Sequence, residues 1–343
     1  GFSAYAQGGD RMPLLVGGSS YAEVVPQLTG DEIWWVKKQS PGTISATWID
    51  PDGTLYPLTK PWADSGPGYF TMNGPAAWGS TPIELVTDPY PRGGEVVRYI
   101  RAKPRRVQWP LYVGGDSHPD FVRNYRTIMK AFTKTTYRRA PGILEIKRPD
   151  GTSRRISAFY EQGFEGEAGE NWLWAKPTIQ LFCPDGYFYD PVPTPVDFVA
   201  TIIDPGQQPA SYYDPFIIIG REPVFDNNGT TRTLINAGDI EAWPTWTITG
   251  PIGGFEAVNS TTGMRFAFDY DVPAGVTVQI TTNPASVRSS TGLNLSRYID
   301  WFNAAGTSLW PVSPGTNTIV ISLSGPGAGA SVSMNYQARF ESA

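Results

Sequence analysis

The sequence predicts a mainly β protein with one α-helix, organised as two domains. Three observations carry that expectation. The last third of the chain, 245–340, holds five segments of period-2 hydrophobicity separated by Gly, Pro and Asn turns, the pattern of an antiparallel sandwich. A single stretch, 117–137, shows a clear apolar stripe at helical spacing. The 343 residues include 12 Trp, 17 Tyr and 16 Phe, enough apolar material for two cores in domains of about 100–200 residues each.

Taken in chain order, 21–25 and 32–36 are expected as short strands. Trp48 to Tyr56 reads as strand, tight Pro51-Asp52-Gly53 turn, strand. The Gly-, Pro- and aromatic-rich stretch 60–80 reads as an ordered loop. Strands follow at about 95–102 and 105–113, the second with Val107, Trp109, Leu111 and Val113 on one face. Ser117 is the expected N-cap of the helix, with Pro119 and Asp120 in its first turn. Phe121, Val122, Tyr125, Ile128, Met129 and Phe132 form its apolar stripe, and the helix should end near Tyr137, before Pro141-Gly142. A hairpin through Arg148-Pro149-Asp150-Gly151 comes next. An acidic Gly-rich loop at 161–170 then leads to a strand at 172–182, and the Pro-rich stretch near 191–215 serves as the linker. Beyond it, Trp246 and Ile248 share a face, as do Met264, Phe266, Phe268 and Tyr270. The same alternation runs through Val276, Val278 and Ile280, through Ile319, Ile321 and Leu323, and through Val332, Met334, Tyr336, Ala338 and Phe340.

Composition narrows the function classes. Cys183 is the only cysteine, so no intrachain disulfide and no Cys-based zinc site exists, and it reads as a buried residue at a strand end. His118 is the only histidine and reads as a capping or solvent-facing residue rather than a catalytic base, because no nucleophile elbow accompanies it. No run of about 18 apolar residues is present to span a membrane. The start, Gly1-Phe2-Ser3-Ala4, shows no basic stretch followed by an apolar run, and its lack of Met reads as a trimmed or truncated beginning.

Charge is unevenly placed. From Arg92 to Arg155 there are 16 Lys and Arg against 5 Asp and Glu, a net of +11; from Pro205 onward there are 6 Arg against 10 acids, a net of −4. The whole chain carries −5, so the remainder holds −12. Such a split lets copies of the chain attract one another through complementary faces. The basic run Arg98, Arg101, Lys103, Arg105 and Arg106 lies in expected strands without a DNA-reading motif around it, which favours a subunit interface over sequence-specific nucleic-acid binding. Glu161, Glu165, Glu167 and Glu170 could in number supply a glycosidase pair, but they read as a solvated loop and as partners for that basic run. Asp50-Pro51-Asp52-Gly53 shares the start of a calcium loop without the remaining ligands and reads as a turn. No phosphate-cradling glycine loop occurs. No catalytic residue, metal ligand or cofactor site is expected.

The order of these motifs resembles that of the distal tail proteins, often labelled minor tail proteins, of long-tailed siphophages. In the N-terminal half the resemblance runs through Trp48-Ile49-Asp50-Pro51-Asp52-Gly53, the strand at 105–113, the helix, Pro141-Gly142-Ile143-Leu144, Arg148-Pro149-Asp150-Gly151, and Phe182-Cys183-Pro184-Asp185-Gly186-Tyr187. In the C-terminal half it runs through Ile235-Asn236-Ala237-Gly238-Asp239, Pro244-Thr245-Trp246 and Leu309-Trp310-Pro311-Val312 to Ser313-Pro314-Gly315. The resemblance implies a tail-tube-like β-sandwich with one helix and a projecting hairpin at 45–195, a linker at 196–215, and a galectin-like (jelly-roll) β-sandwich at 216–343; residues 1–44 read as an added arm that the resemblance does not explain. It implies a structural virion protein at the distal end of the tail, forming a homo-hexameric ring. That ring would join the tail tube protein to the tape-measure protein and the tail-tip or baseplate hub proteins, leaving a channel through which DNA passes without sequence-specific binding. The basic segment is then expected in ring interfaces rather than lining the lumen. The arm is expected to reach an adjacent subunit or the tape-measure side. The family brings no catalytic residues. The alternative is a host-surface carbohydrate-binding module in the C-terminal sandwich, with Trp301 and Trp310 as glycan contacts. Against it, that half has no His, and Trp246 is expected to face inward.

Overall fold

The structure is a computed structural model that describes residues 44–59, 68–72, 74–165, 172–198, 201–202, 225–226, 231–301, 309–327 and 329–343. The strands expected at 21–25 and 32–36, the arm, most of the expected linker, and Glu167 and Glu170 lie outside the described residues. Two compact units divide the chain: 1–186 with 342–343, and 187–341.

In the first unit, an antiparallel sheet runs in the order β2 (Leu55–Pro57), β1 (Ser45–Ile49), β7 (Gly142–Lys147), β8 (Ser153–Gln162), β10 (Thr178–Cys183), β6 (Arg105–Gly114) and β3 (Gly68–Thr71), with β9 (Trp174–Ala175) also on β6. In β6, Val107, Trp109, Leu111 and Val113 are all buried, as the alternation requires. The helix α1 (His118–Arg138) crosses this sheet. Ser117 caps it from extended backbone, its Oγ accepting from Asp120 N at 3.3 Å and donating to the Asp120 carboxylate at 2.6 Å. Arg139, in the left-handed region at φ 50°, ends it one residue beyond the expected end. Phe121, Ile128 and Phe132 are buried, together with Ala131 and Thr135, which the stripe did not include. Phe132 stacks on Trp48 of β1 with ring centroids 4.5 Å apart, and Trp48 Nε1 donates to Ala131 O. Tryptophan from the sheet and phenylalanine from the helix thus form the centre of the core. Apart from the main sheet stands a two-stranded hairpin, β4 (Ile83–Pro89) and β5 (Glu95–Ala102). The sequence reading foresaw only β5.

The second unit is a β-sandwich. One sheet runs β12 (Thr194–Phe198), β22 (Ser331–Tyr336), β16 (Thr245–Thr249), β19 (Thr277–Thr282), β20 (Ala285–Ser289); the other runs β15 (Thr231–Asn236), β21 (Gly315–Ser324), β17 (Gly254–Asn259), β18 (Met264–Phe268). Short pairs join β11 (Phe188–Tyr189) to β23 (Arg339–Phe340) and β13 (Thr201–Ile202) to β14 (Phe225–Asp226). Trp246, Ile248, Val278, Ile280, Val332 and Met334 from the first sheet meet Phe255, Ala257, Phe266, Phe268, Ile319 and Ile321 from the second in one buried cluster. Most expected inward positions are there. Met264 departs: it is 37% exposed at the first position of β18, beside the turn that precedes it. The division of the units after Gly186 falls earlier than the expected linker at 196–215: β11 already pairs with β23, and β12 pairs along its full length with β22.

Candidate functional site

The β4–β5 hairpin is the least buried regular structure of the first unit. All eight residues of β5 are exposed. Its turn, Pro91-Arg92-Gly93-Gly94, closes with Tyr90 N donating to Gly94 O, and Gly93 and Gly94 both sit at positive φ, which a residue with a Cβ adopts only with strain. Leu85 lies directly opposite Ile100, and Ile83 opposite Ala102. These pairs put Ile83, Leu85 and Ile100 on one face, each between 58 and 64% exposed. Val97 and Tyr99 are also about half exposed. Monomeric proteins rarely present so many large apolar side chains on one small element; such patches mark interaction surfaces.

Its charges pair across the two strands. Arg101 donates to Glu84 and Arg98 to Asp88, and Lys103 lies 3.9 Å from Glu84. The Arg101 hydrogen bond holds the Glu84 carboxyl below its usual range and raises the guanidinium in return. Arg106 leaves β6 on the solvent side, lies over the Phe182 ring, and meets the Glu161 carboxylate at 3.0 Å. Glu161 also accepts from Gln180, and its carboxyl is lowered chiefly by Arg106. Glu165 is exposed. So the basic and acidic sets of the sequence analysis do meet, at Arg106 and Glu161, but within one chain.

Arg105 is a correction. It was grouped with the surface cations, yet it is 1% exposed. It donates to Gly186 O at 2.9 Å, Ala77 O at 2.9 Å, Gly79 O at 2.7 Å and Thr81 Oγ1 at 3.0 Å. It ties two loops together from inside. The signal was available: position 105 is in phase with the inward Val107, Trp109, Leu111 and Val113. Trp310 is the second correction. It is fully buried, edge-on to Trp246 at 5.6 Å, with Nε1 donating to Ala257 O, so it is core and offers no face to a sugar. Trp301 is 39% exposed and lines a surface groove of the second unit.

The remaining singled-out residues have structural partners. Burial pushes the Cys183 thiol up to about 12, so it is not a nucleophile at neutral pH. His118 Nδ1 lies 2.9 Å from Trp172 O at the helix start. Asp50 takes Asp52 N and Thr54 N on one oxygen and Lys134 on the other, closing the turn and fastening it to α1. Among the described residues no group of three or more His, Cys, Asp and Glu is placed to hold a metal.

No family model and no curated protein sequence matches the chain. Solved structures do. The Dit protein of phage SPP1, described as a paradigm of the hub adsorption apparatus in phages infecting Gram-positive bacteria, superposes with a TM-score of 0.58 at 12% identity, over 87% of this chain and 99% of that one. The phage P2 baseplate in its activated conformation with Ca superposes with a TM-score of 0.51 at 13% identity, over 88% of this chain and 100% of the matched chain. At such identities the likeness establishes a shared fold, and it extends through both units.

Proposed function

We propose that this chain is the distal tail subunit of a long-tailed phage, a structural virion protein that closes into a hexameric ring between the tail tube and the tip or baseplate. The observation that carries this reading is a fold likeness spanning 87% of this chain and 99% of the other, in a molecule whose described residues leave an apolar hairpin uncovered. Heterologous contacts close into rings when each copy buries its element against a different surface of the next. Ile83, Leu85, Val97, Tyr99 and Ile100 are the side chains that need such a neighbour. Arg98, Arg101, Lys103, Arg106, Glu161 and Glu165 border the contact and set its register. Arg105 takes no part in it. The partners would be the tail tube, tape-measure and hub proteins, with DNA passing through the channel unread. The protein performs no reaction in this role.

Native mass spectrometry tests the proposal. The expected particle is six times the 37.5 kDa chain. The double substitution Val97→Asp, Ile100→Asp should leave a folded monomer, since neither side chain supports the monomer's core. A wild-type chain that stays monomeric at all concentrations, or a doubly charged variant that still closes a ring, would overturn it.

A further inference from the structure

We infer that Arg105 is the positioning residue of the β4–β5 hairpin: buried between the hairpin's two roots, it fixes the angle at which each copy presents that arm, and so decides whether copies close into a ring or run on into open oligomers. This role rests on the ring reading of the hairpin and adds the device that makes a closed ring, rather than a mixture, its product.

The hairpin joins the first unit through two short roots, 76–82 before β4 and 103–105 after β5. The first root starts on β6, where Ala76 and Gln108 exchange backbone hydrogen bonds at 3.0 and 3.3 Å. Trp78 then lies edge-on to the buried Trp109, ring centroids 6.0 Å apart. The two roots come together where Lys103 N donates to Pro82 O at 2.8 Å. Pro82 and Pro104, one in each root, restrict the backbone there. Beyond this point, among the described residues, the hairpin pairs with no further strand. An arm of that kind swings about its roots unless something holds them.

Arg105 holds them. It is the first residue of β6, in the inward phase, and its guanidinium reaches back to the other root. Nη1 donates to Ala77 O and Gly79 O, Nη2 to Thr81 Oγ1, and Nε to Gly186 O in the turn after β10. Thr81 is itself buried, and its hydroxyl donates to the same Gly186 O at 3.2 Å. One side chain from the second root thus grips three points of the first. Lysine cannot do the same: its ammonium offers three donors at one point, whereas these acceptors need a planar fork.

Two observations independent of those hydrogen bonds point the same way. Ala77 sits at φ 66°, a left-handed conformation that a residue with a Cβ keeps only where its surroundings enforce it. A methyl group placed on Gly186 would come within 2.7 Å of Lys103 O in one root and 2.9 Å of Thr81 Cγ2 in the other. The chain at Gly186 is therefore pressed against both roots at once and leaves them little room to shift.

A fixed angle matters because of closure. Copies joined head to tail form a ring only if every joint turns by the same amount; otherwise the array opens into a filament. In a six-membered ring an error of about 10° at each joint leaves a gap of about 60°. A preset arm also avoids the ordering cost that a loose one carries at every contact. Strain at Ala77 and burial of a cation both cost stability, and both sit where the direction of the arm is set.

The arm's direction is measured in the monomeric Val97→Asp, Ile100→Asp background. Spin labels are placed at Arg92→Cys in the hairpin turn and Lys130→Cys on the exposed side of α1, the native Cys183 being buried. Pulsed dipolar spectroscopy should give one narrow distance distribution with Arg105 present, and one about twofold broader in Arg105→Lys. Assembly is read without the Asp substitutions, by native mass spectrometry and negative-stain images. There Arg105→Lys should lower the share of closed rings about tenfold and put open or unequal oligomers in their place. Gly186→Ala keeps Arg105 but forces the roots to move, so it should shift the distance and impair closure; it carries the test if Arg105→Lys does not fold by circular dichroism. Leu144→Ala, which weakens the core away from the roots, should change neither measurement. An unmoved, narrow distribution in both Arg105→Lys and Gly186→Ala, rings that close in both as in the wild type, or equal broadening in Leu144→Ala would each overturn the inference. A wild-type chain that never closes a ring while Arg105→Lys still loosens the arm removes the ring and leaves the lock; a ring that closes equally well without Arg105 does the reverse.

Discussion

Two hairpins of the first unit carry nearly the same cross-strand pairs and meet opposite fates. In β7–β8, Leu144 faces Ile156 and Glu145 faces Arg155. In β4–β5, Leu85 faces Ile100 and Glu84 faces Arg101. Leu144 and Ile156 are both fully buried, and Glu145 is 7% exposed, accepting from Ser153 Oγ at 2.8 Å and Arg155 at 3.4 Å. Leu85 and Ile100 are 58 and 64% exposed. Local chemistry is therefore not what separates them. The β7–β8 hairpin has β1 on one side, β10 on the other and α1 across its face. Among the described residues the β4–β5 hairpin has neither a third strand nor a covering layer, a state that is marginal in water. The chain spends the same residue pairs once on its own core and once on a surface that makes sense only with a neighbour.

The largest test of this contrast is truncation of the apolar pairs. Leu144→Ala should cost about 2–5 kcal/mol of unfolding free energy, the transfer term plus the cavity left under α1. Leu85→Ala and Ile100→Ala should leave the dissociated monomer's denaturation midpoint unchanged and weaken ring formation instead, read as a rise in the concentration needed for the hexamer. Equal destabilisation of the monomer by both kinds of substitution would mean that β4–β5 has a covering surface within its own chain.

What the sequence made legible follows the same line. Period-2 faces were readable wherever a layer covers one side: Trp246 and Ile248, Phe266 and Phe268, and the β6 series all point inward as expected. The helix was readable from Ser117 and the Phe121–Ile128–Phe132 stripe because cap chemistry and spacing are local signals. β4 was missed. Its Ile83-Glu84-Leu85-Val86 alternation is short and lies next to a Gly- and Pro-rich stretch that reads as loop. Arg105 carries a surface-type charge at an inward phase of β6, and four hydrogen bonds make its burial tolerable. Trp310 lies outside the period-2 strands, so alternation carries no signal of its burial against Trp246 and Phe266.

The second test uses acid. Asp50 and Glu84 both have carboxyls held below their ordinary range, for different reasons. At Asp50 burial opposes ionisation, but Lys134 and the backbone N–H groups of Thr54 and Asp52 outweigh it. At Glu84 the exposed Arg101 is the main cause. A carboxyl with a depressed folded-state pKa contributes stability that is present above its unfolded value, about 4, and is lost as pH falls through the folded value. The buried Asp50 should dominate this loss, and Glu84 should add little because solvent screens its pair. Asp50→Asn should cost about 2 kcal/mol at pH 7 and flatten the decline in stability below pH ~4. Glu84→Gln should leave the curve in place. A wild-type curve that is flat in acid would remove Asp50 from this role.

The smallest expected effect separates the two Glu–Arg pairs by salt. Exposed ion pairs contribute little and are screened once the Debye length shrinks from about 10 Å at 0.1 M to about 3 Å at 1 M. Any change that Glu84→Gln makes in the monomer's melting temperature should therefore vanish at 1 M NaCl. Glu145→Gln turns one of two buried acceptor oxygens into a donor, so either Ser153 or Arg155 loses its acceptor, and burial shields that loss from salt, so its lowered midpoint should persist at both ionic strengths. If Glu84→Gln lowers the midpoint at 1 M NaCl as Glu145→Gln does, the Glu84–Arg101 pair is shielded in the monomer and the β4–β5 hairpin is not the open surface described. If the effect of Glu84→Gln appears only in the assembled ring and resists salt there, the same pair has become buried on assembly, which places the subunit contact on the strand face that carries Arg101.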